Sequence, residues 1–171
     1  MEGASHIRWG RVAIAAVLSE AVVVAVLIVT TIAYRFLIAP GRTAAEYEAF
    51  GELAGYYVAP AAAGLATFFG ALWVCRKLTS AFLANGTLVG AAAVVLTGGL
   101  IFVAKPEDRF MYGVSFVLRI LGGYIGGAVA QRISSRRTAS LIHFWGGWLG
   151  VHGTPALQAP TSLMWVAGIH W

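Results

Sequence analysis

The chain has 171 residues, of which 59% are hydrophobic and 11% charged, and its mean hydropathy is +0.78. Soluble globular domains are usually about 45–50% apolar and about 25% charged, so this composition excludes an ordinary soluble fold. The net charge of +5 does not indicate nucleic-acid binding, because the basic residues lie at the ends of apolar runs, where membrane proteins carry topology signals. We expect an all-α, polytopic integral membrane protein that contacts lipids and no nucleic acid.

Four apolar runs are long enough to cross a bilayer. A hydrocarbon core about 30 Å thick needs about 20 helical residues, and the runs at about 12–38, 54–75, 81–104 and 110–131 meet this length. Each run ends at charged residues, glycine or proline. The sequence therefore predicts a four-transmembrane-helix bundle within residues 12–138, an N-terminal segment over 1–11 and a C-terminal tail over 139–171.

The positions of lysine and arginine predict the orientation. If residues 1–11 are cytoplasmic, the inner segments carry Arg8, Arg11, Arg76, Lys77, Arg132, Arg136 and Arg137. The outer segments then carry Arg35, Arg42, Lys105 and Arg109. Because cytoplasmic segments are enriched in these two residue types, seven against four predicts a multi-pass protein of the cell (inner) membrane with both termini cytoplasmic.

The connection between the first two runs contains a helix start. Thr43 and Glu46 have the spacing of a capping box, and Tyr47 and Phe50 follow at helical spacing. We expect a short interfacial helix here, anchored by its aromatic residues at the membrane surface. A contact with a substrate or a partner is the alternative role for this helix.

Two charges lie well inside the apolar runs, Glu20 in the first and Arg119 in the fourth. From the inner edges of their runs, Glu20 lies at a depth of roughly 13 Å and Arg119 at roughly 20 Å, a difference that an arginine side chain spans. Either charge alone at mid-membrane costs about 2.5–3.5 kcal/mol. We therefore predict that the first and fourth helices touch through an intramembrane Glu20–Arg119 ion pair. This pair is either architectural, fixing which helices are neighbours, or part of a proton or ion relay.

Glycines in the fourth run predict close helix packing. Two overlapping GxxxG frames are present, formed by Gly122 with Gly126 and by Gly123 with Gly127. In lipid, such small residues let helix backbones approach closely. Packing within the chain is the expected use, and a homodimer through the fourth helix or a larger membrane complex is the alternative.

Patterns that would indicate catalysis or metal binding are weak. His6, His143, His152 and His170 lack the spacing of a metal site, and no serine lies in a nucleophile motif. Asn85 begins a formal glycosylation sequon, but at the expected cytoplasmic start of the third helix it would receive no glycan. We expect no catalytic residue, no metal, no cofactor and no enzymatic activity.

The composition changes abruptly in the tail, residues 139–171. This segment contains four of the six tryptophans, three of the four histidines and no lysine, arginine, aspartate or glutamate. Its apolar stretches are too short to span a bilayer. We expect it to adhere to the membrane surface or to be poorly ordered; a shifted reading frame in the coding DNA is an alternative origin for this composition.

These features favour a small non-catalytic membrane protein, such as an accessory subunit or a lipid-associated structural protein. The alternative is a small proton- or cation-coupled transporter. The stretch "AIAAVLSEAV", with Glu20 near the middle of the first of four helices, resembles the arrangement in small multidrug-resistance transporters. This resemblance, which covers only that position and the helix count, implies a glutamate that binds protons and cationic substrates.

Overall fold

The computed structural model describes residues 7–106 and 108–148, with the backbone alone over 137–148. These described residues are helical and contain no strand; their α-helices are α1 (Trp9–Ala33), α2 (Ala44–Cys75), α3 (Phe82–Thr97), α4 (Leu100–Val103) and α5 (Arg109–Trp148). A π-helical turn over Tyr34–Ile38 prolongs α1. Within the described residues, four stretches are long and apolar enough to span a membrane: Trp9–Ile38, Ala44–Cys75, Phe82–Val103 and Arg109–Arg136. The all-α class and the four apolar helices are thereby confirmed.

The chain divides into two compact units, Met1–Arg136 and Arg137–Trp171. The first contains the four apolar stretches. In the second, residues 137–148 are helical and belong to α5, whereas the predicted fourth helix ended at about 131. The helix continues because no glycine or proline interrupts residues 132–144. The rest of the predicted tail, 149–171, lies outside the described residues.

The predicted interfacial helix is not a separate element, because α2 runs without interruption over Ala44–Cys75. The capping box at its start is present: Thr43 Oγ1 accepts a hydrogen bond from Glu46 N–H, and the Glu46 carboxylate accepts one from Thr43 N–H. Glu46 also accepts a hydrogen bond from the Arg42 guanidinium at 2.8 Å. This hydrogen bond and the negative charge of Glu46 raise the pKa of Arg42. Once capped, the helix has no strong breaker before Pro60, so it continues into the apolar run.

Aromatic side chains close the connection between α1 and α2. The rings of Tyr34 and Phe50 are stacked with their centroids 3.6 Å apart. Tyr47 Oη donates a hydrogen bond to the Ala39 carbonyl at 2.9 Å and accepts one from Arg42 N–H at 3.0 Å. The predicted anchor residues Tyr47 and Phe50 thus fasten α2 to the end of α1.

The third apolar run is broken near its end. It was expected to be one helix over about 81–104, but α3 ends at Thr97 and α4 begins at Leu100. Gly98 and Gly99 lie between them. Both glycines keep right-handed helical dihedral angles, and the run as a whole, Phe82–Val103, is one candidate span.

The bundle has two ends, which we name here by their residues. The inner end carries Arg8 and the turn 76–81, and the outer end carries the connections 39–43 and 104–108. Towards the inner end, α1 packs on α2 and α3: Val12 and Ala15 form a buried cluster with Val74 and Val89. Only small and branched aliphatic side chains separate the helices at this level.

One glycine face of α5 contacts α2. A Cβ atom on Gly122 would lie 2.2 Å from the Gly64 carbonyl oxygen, and one on Gly126 would lie 2.5 Å from the Phe68 carbonyl oxygen. Both distances are shorter than any real contact of a Cβ atom. The two backbones therefore touch, and because both residue numbers increase together, the two helices run parallel.

The other glycine face of α5 contacts α3. A Cβ atom on Gly123 would lie 2.4 Å from the Gly86 carbonyl oxygen, and one on Gly127 would lie 2.7 Å from the Phe82 carbonyl oxygen. Here the residue numbers run in opposite directions, so α3 and α5 are antiparallel. Both GxxxG frames are occupied by contacts within the chain.

We expect Gly122→Ala to destabilise the bundle by about 1–3 kcal/mol, because the added methyl group must displace the backbone of α2. The matched control is Gly113→Ala on the same helix, where a Cβ atom meets nothing within 4 Å. That control should be neutral or stabilising by up to about 1 kcal/mol, since alanine favours helices more than glycine does. Denaturant titration of the protein in mixed micelles measures both; equal stability of the two variants would contradict the packing described.

Candidate functional site

Glu20 and Arg119 lie in contact between α1 and α5. Arg119 Nη1 forms an ion pair with Glu20 Oε1, and the two side chains are 7% and 22% exposed, respectively. Arg119 Nε also donates a hydrogen bond of 3.4 Å to Ser115 Oγ, one helical turn earlier on α5. The structure thus brings together the two charges that the depth argument placed at similar levels.

The ion pair lies at the level where close backbone packing stops. A Cβ atom on Gly90 of α3 would lie 2.4 Å from the Arg119 carbonyl oxygen, so the Arg119 backbone touches α3 directly. Val23 of α1 is buried against Ala63 and Ala66 of α2 at a similar level. Towards the outer end, α1 and α2 stay in contact through Leu27 and Ala59, and the side chains of the pair line a cavity.

A cavity of about 510 Å³ extends from the ion pair towards the outer end. All four apolar stretches contribute to its lining, including Leu27 of the first, Tyr56 of the second, Leu100 of the third and Phe116 of the fourth. Ligand sites are commonly concave and apolar with a few polar groups and occupy about 300–1,000 Å³. The size and lining of this cavity match that description.

Polar groups are placed sparsely along the cavity wall. Tyr56, Tyr112, Thr97 and Ser115 contribute hydroxyl groups, and the described lining residues include no histidine and no cysteine. Hydroxyl groups both donate and accept hydrogen bonds. The wall can therefore orient a ligand, but it provides no side chain with the acid–base range of an imidazole or the nucleophilicity of a thiol.

Pro60 adds a further acceptor to the wall. It lies buried inside α2 and lines the cavity. Because proline has no N–H, the carbonyl oxygen of Tyr56, one turn earlier, lacks its usual helical donor. Tyr56 itself also lines the cavity.

The mouth of the cavity carries charges. Lys105 Nζ lies 3.5 Å from Glu52 Oε1, and both side chains are well exposed at 65% and 70%. Such an exposed pair contributes at most about 1 kcal/mol. Asp108 also lines the mouth, and no ion pair of this carboxylate is found among the described residues. The described lining residues of the mouth therefore carry one more negative than positive charge.

The cavity was not predicted from the sequence, although part of its wall has a recognisable pattern. Asp108, Tyr112, Ser115 and Arg119 follow each other at intervals of three or four residues on α5. Residues at this spacing share one helix face. A polar stripe leading to an arginine inside an apolar helix was thus a usable indication of an internal site.

The described residues form no candidate metal site. Among the described residues, no group of three or more His, Cys, Asp or Glu side chains lies close enough to hold a metal ion. His6, His152 and His170 lie outside the described residues, and of His143 only the backbone is described.

No protein-family model, no curated protein and no solved structure matches this chain. The function of the chain is therefore inferred from the geometry and chemistry of its own residues.

The ion pair predicts an asymmetric response to mutation. Glu20→Met should cost about 3–5 kcal/mol, because it leaves a nearly buried guanidinium without its counter-charge. Arg119→Met should cost less, because the more exposed Glu20 can take up water or a proton from the cavity. Denaturant titration of both single variants and the double variant measures the coupling.

The double variant should recover most of the lost stability, since replacing both members of a buried pair is often nearly neutral. If the two single effects simply add in the double variant, the two side chains do not interact energetically and the pair has no architectural role.

Proposed function

We propose that the chain is a small, non-catalytic, multi-pass protein of the cell membrane that binds a small amphipathic ligand or a lipid in the cavity above Glu20–Arg119. Its four apolar stretches have the length and composition of membrane spans. Both termini are cytoplasmic in this proposal, so the inner end of the bundle faces the cytoplasm and the cavity opens towards the outside.

The charge distribution supports this orientation. The inner end carries Arg8, Arg11, Arg76 and Lys77, and α5 adds Arg132 and Arg136 near its inner end. The outer connections carry fewer cations together with acidic residues. Membrane proteins retain lysine and arginine on the cytoplasmic side.

The observation that carries the binding proposal is the cavity itself. It is lined mostly by apolar and aromatic side chains, has an ion pair at its floor and a charged mouth at the outer end. The apolar wall favours hydrocarbon or aromatic parts of a ligand, and the floor offers both a carboxylate acceptor and a guanidinium donor. An accessory subunit or a lipid-associated structural protein would use the cavity in this way.

The absence of catalytic machinery in the described site supports a non-catalytic role. Ser115 Oγ accepts a hydrogen bond from Arg119; the carboxylates of Glu20, Glu52 and Asp108 also line the cavity, but none of them is hydrogen-bonded to Ser115 among the described residues. A serine nucleophile needs a base within hydrogen-bonding reach to remove its proton.

A homodimer through the glycines of the fourth span is less favoured than packing within the chain. All four predicted glycines already contact α2 or α3. A homodimer or a larger membrane complex would use another surface of the bundle, such as the exposed apolar residues of α1.

The second candidate function is a proton- or cation-coupled transporter that uses Glu20. The observation in its favour is that Glu20 retains 22% exposure and lines the cavity, whereas Arg119 is 7% exposed. A carboxylate that can be reached from outside can bind a proton or a cation. In this alternative, protonation of Glu20 would release Arg119, and the negative rim would attract cations.

Cysteine labelling tests membrane insertion, orientation and the cavity together. In a Cys75→Ala background, a membrane-impermeant maleimide added to intact cells should label Met111→Cys, which lines the cavity. Ser135→Cys should react only after permeabilisation, because it lies at the inner end of the apolar stretch Arg109–Arg136. Val95→Cys should not react in either case; its side chain is 80% exposed, but in hydrocarbon no water is present to stabilise the thiolate that reacts.

Rapid labelling of Val95→Cys in intact cells would contradict insertion of α3. If Met111→Cys failed to react while Ser135→Cys behaved as expected, insertion would stand and an open cavity on the outer side would not.

The transporter alternative has its own test in liposomes. If it is correct, wild-type protein should drive uptake of tetraphenylphosphonium under a pH gradient, and Glu20→Gln should abolish that uptake. The matched control is Glu48→Gln, which removes one exposed carboxylate near the outer end without touching the cavity lining. Equal absence of flux in wild type and Glu20→Gln would favour the binding protein.

A further inference from the structure

A second cavity lies at the inner end of the bundle, remote from Glu20 and Arg119. It has a volume of about 420 Å³ and is lined by Ile7, Arg8, Lys77, Leu78, Thr79 and Ser80. These residues come from two places in the chain, the segment that precedes α1 and the turn that joins α2 to α3. The proposed function uses neither of them.

The lining of this cavity is strongly positive. Arg8 and Lys77 are both exposed, and no acidic residue is found among its described lining residues. Neither cation forms an ion pair within the part of the chain that the structure describes. Thr79 and Ser80 add two hydroxyl groups beside the cations. Two cations and two hydroxyl donors around one opening are a donor set for an anion with several oxygen atoms.

A fully buried amide ties the two walls of the cavity together. Asn85 has 0% exposure. Its Oδ1 accepts a hydrogen bond of 3.0 Å from Arg8 N–H, and its Nδ2 donates one of 2.9 Å to the Ala81 carbonyl. One side chain therefore ties the backbone at Arg8 to the Ala81 carbonyl at the end of the turn, and so joins the two segments that line the cavity.

The turn itself has an unusual backbone. Ala81, next to Ser80, has a φ of +56° and lies in the left-handed region. This conformation is sterically unfavourable for a residue with a Cβ atom. Such strain is maintained only where the surroundings enforce it, and it is found preferentially at functional sites. Here it lies at the end of the turn, immediately before α3.

The position along the chain identifies the source of the anion. Arg8 directly precedes α1, and Lys77 follows α2 after one intervening residue. In an inserted bundle, the ends of the apolar stretches lie at the level of the lipid headgroups. The cytoplasmic leaflet is rich in anionic lipids, and basic pockets between helices on this side bind their headgroups.

We propose that this inner cavity binds the phosphate of an anionic phospholipid headgroup, with Arg8 and Lys77 as its cations and Thr79 and Ser80 as hydrogen-bond donors. The inference rests on the membrane insertion in the proposed function, but not on the ligand of the outer cavity. Asn85 acts as a positioning residue, because it holds the two walls without facing the ligand.

Native mass spectrometry of the full chain in detergent, with equal amounts of phosphatidylglycerol and phosphatidylcholine, tests this proposal. Wild-type protein should retain phosphatidylglycerol preferentially. The double variant Arg8→Gln/Lys77→Gln should bind it about 25-fold more weakly, since each cation near an anionic headgroup contributes about fivefold. The matched control Arg132→Gln/Arg136→Gln removes the same charge from α5, outside the cavity lining, and should bind like wild type.

Each outcome decides the question. Equal retention of phosphatidylglycerol by the two double variants would overturn the proposal. Displacement of the lipid by inorganic phosphate alone, with the same loss in Arg8→Gln/Lys77→Gln, would overturn a lipid source and indicate a free phosphate. If that double variant fails to fold by circular dichroism, Lys77→Gln alone should show a loss of about fivefold.

Co-flotation with phosphatidylglycerol vesicles separates this inference from the proposed function. Failure of wild-type protein to float after alkaline extraction would overturn membrane insertion and, with it, both proposals. Stable insertion together with unchanged lipid binding of Arg8→Gln/Lys77→Gln would overturn only the headgroup site.

Discussion

Direct backbone contact between α5 and its neighbours is the constraint on which the rest of the bundle depends. Gly122 and Gly126 touch α2, and Gly123 and Gly127 touch α3. Two glycine faces one residue apart point about 100° apart on a helix, which suits a helix wedged between two others. In the proposed membrane-inserted state, lipid removes the hydrophobic drive between helices, and close van der Waals contact then holds them together. The four glycines concentrate that contact in the inner half of the described bundle.

The ion pair and the cavity follow from where this contact ends. On the face of α5 that carries Gly123, the next residue towards the outer end is Arg119. Its guanidinium forms the ion pair with Glu20 of α1. Ser115 comes one turn further and supports the guanidinium through a hydrogen bond. Outward of this level, residues of all four apolar stretches line the cavity, with Lys105 among its outer lining residues.

The sequence predicts some of these features well and others poorly, for physical reasons. Apolar length is a local property, so four spans can be read directly, and counting depth at 1.5 Å per residue placed Glu20 and Arg119 at similar levels. The sequence did not predict that α2 is continuous. The helix that begins at the Thr43 cap is the same helix that continues into the apolar run, because Gly51 and Gly55 weaken it only slightly. The cavity could not be predicted, because its volume depends on how far four separate helices diverge.

The asymmetry between the two ends bears on the choice between binding and transport. Passage of a ligand from the cavity to the inner end would require α5 to separate from α2 and α3, where carbonyl oxygens and glycine backbones touch. Binding a ligand from the outer end does not require this separation. In the proposed function, these contacts therefore favour a protein that holds its ligand over one that carries it across.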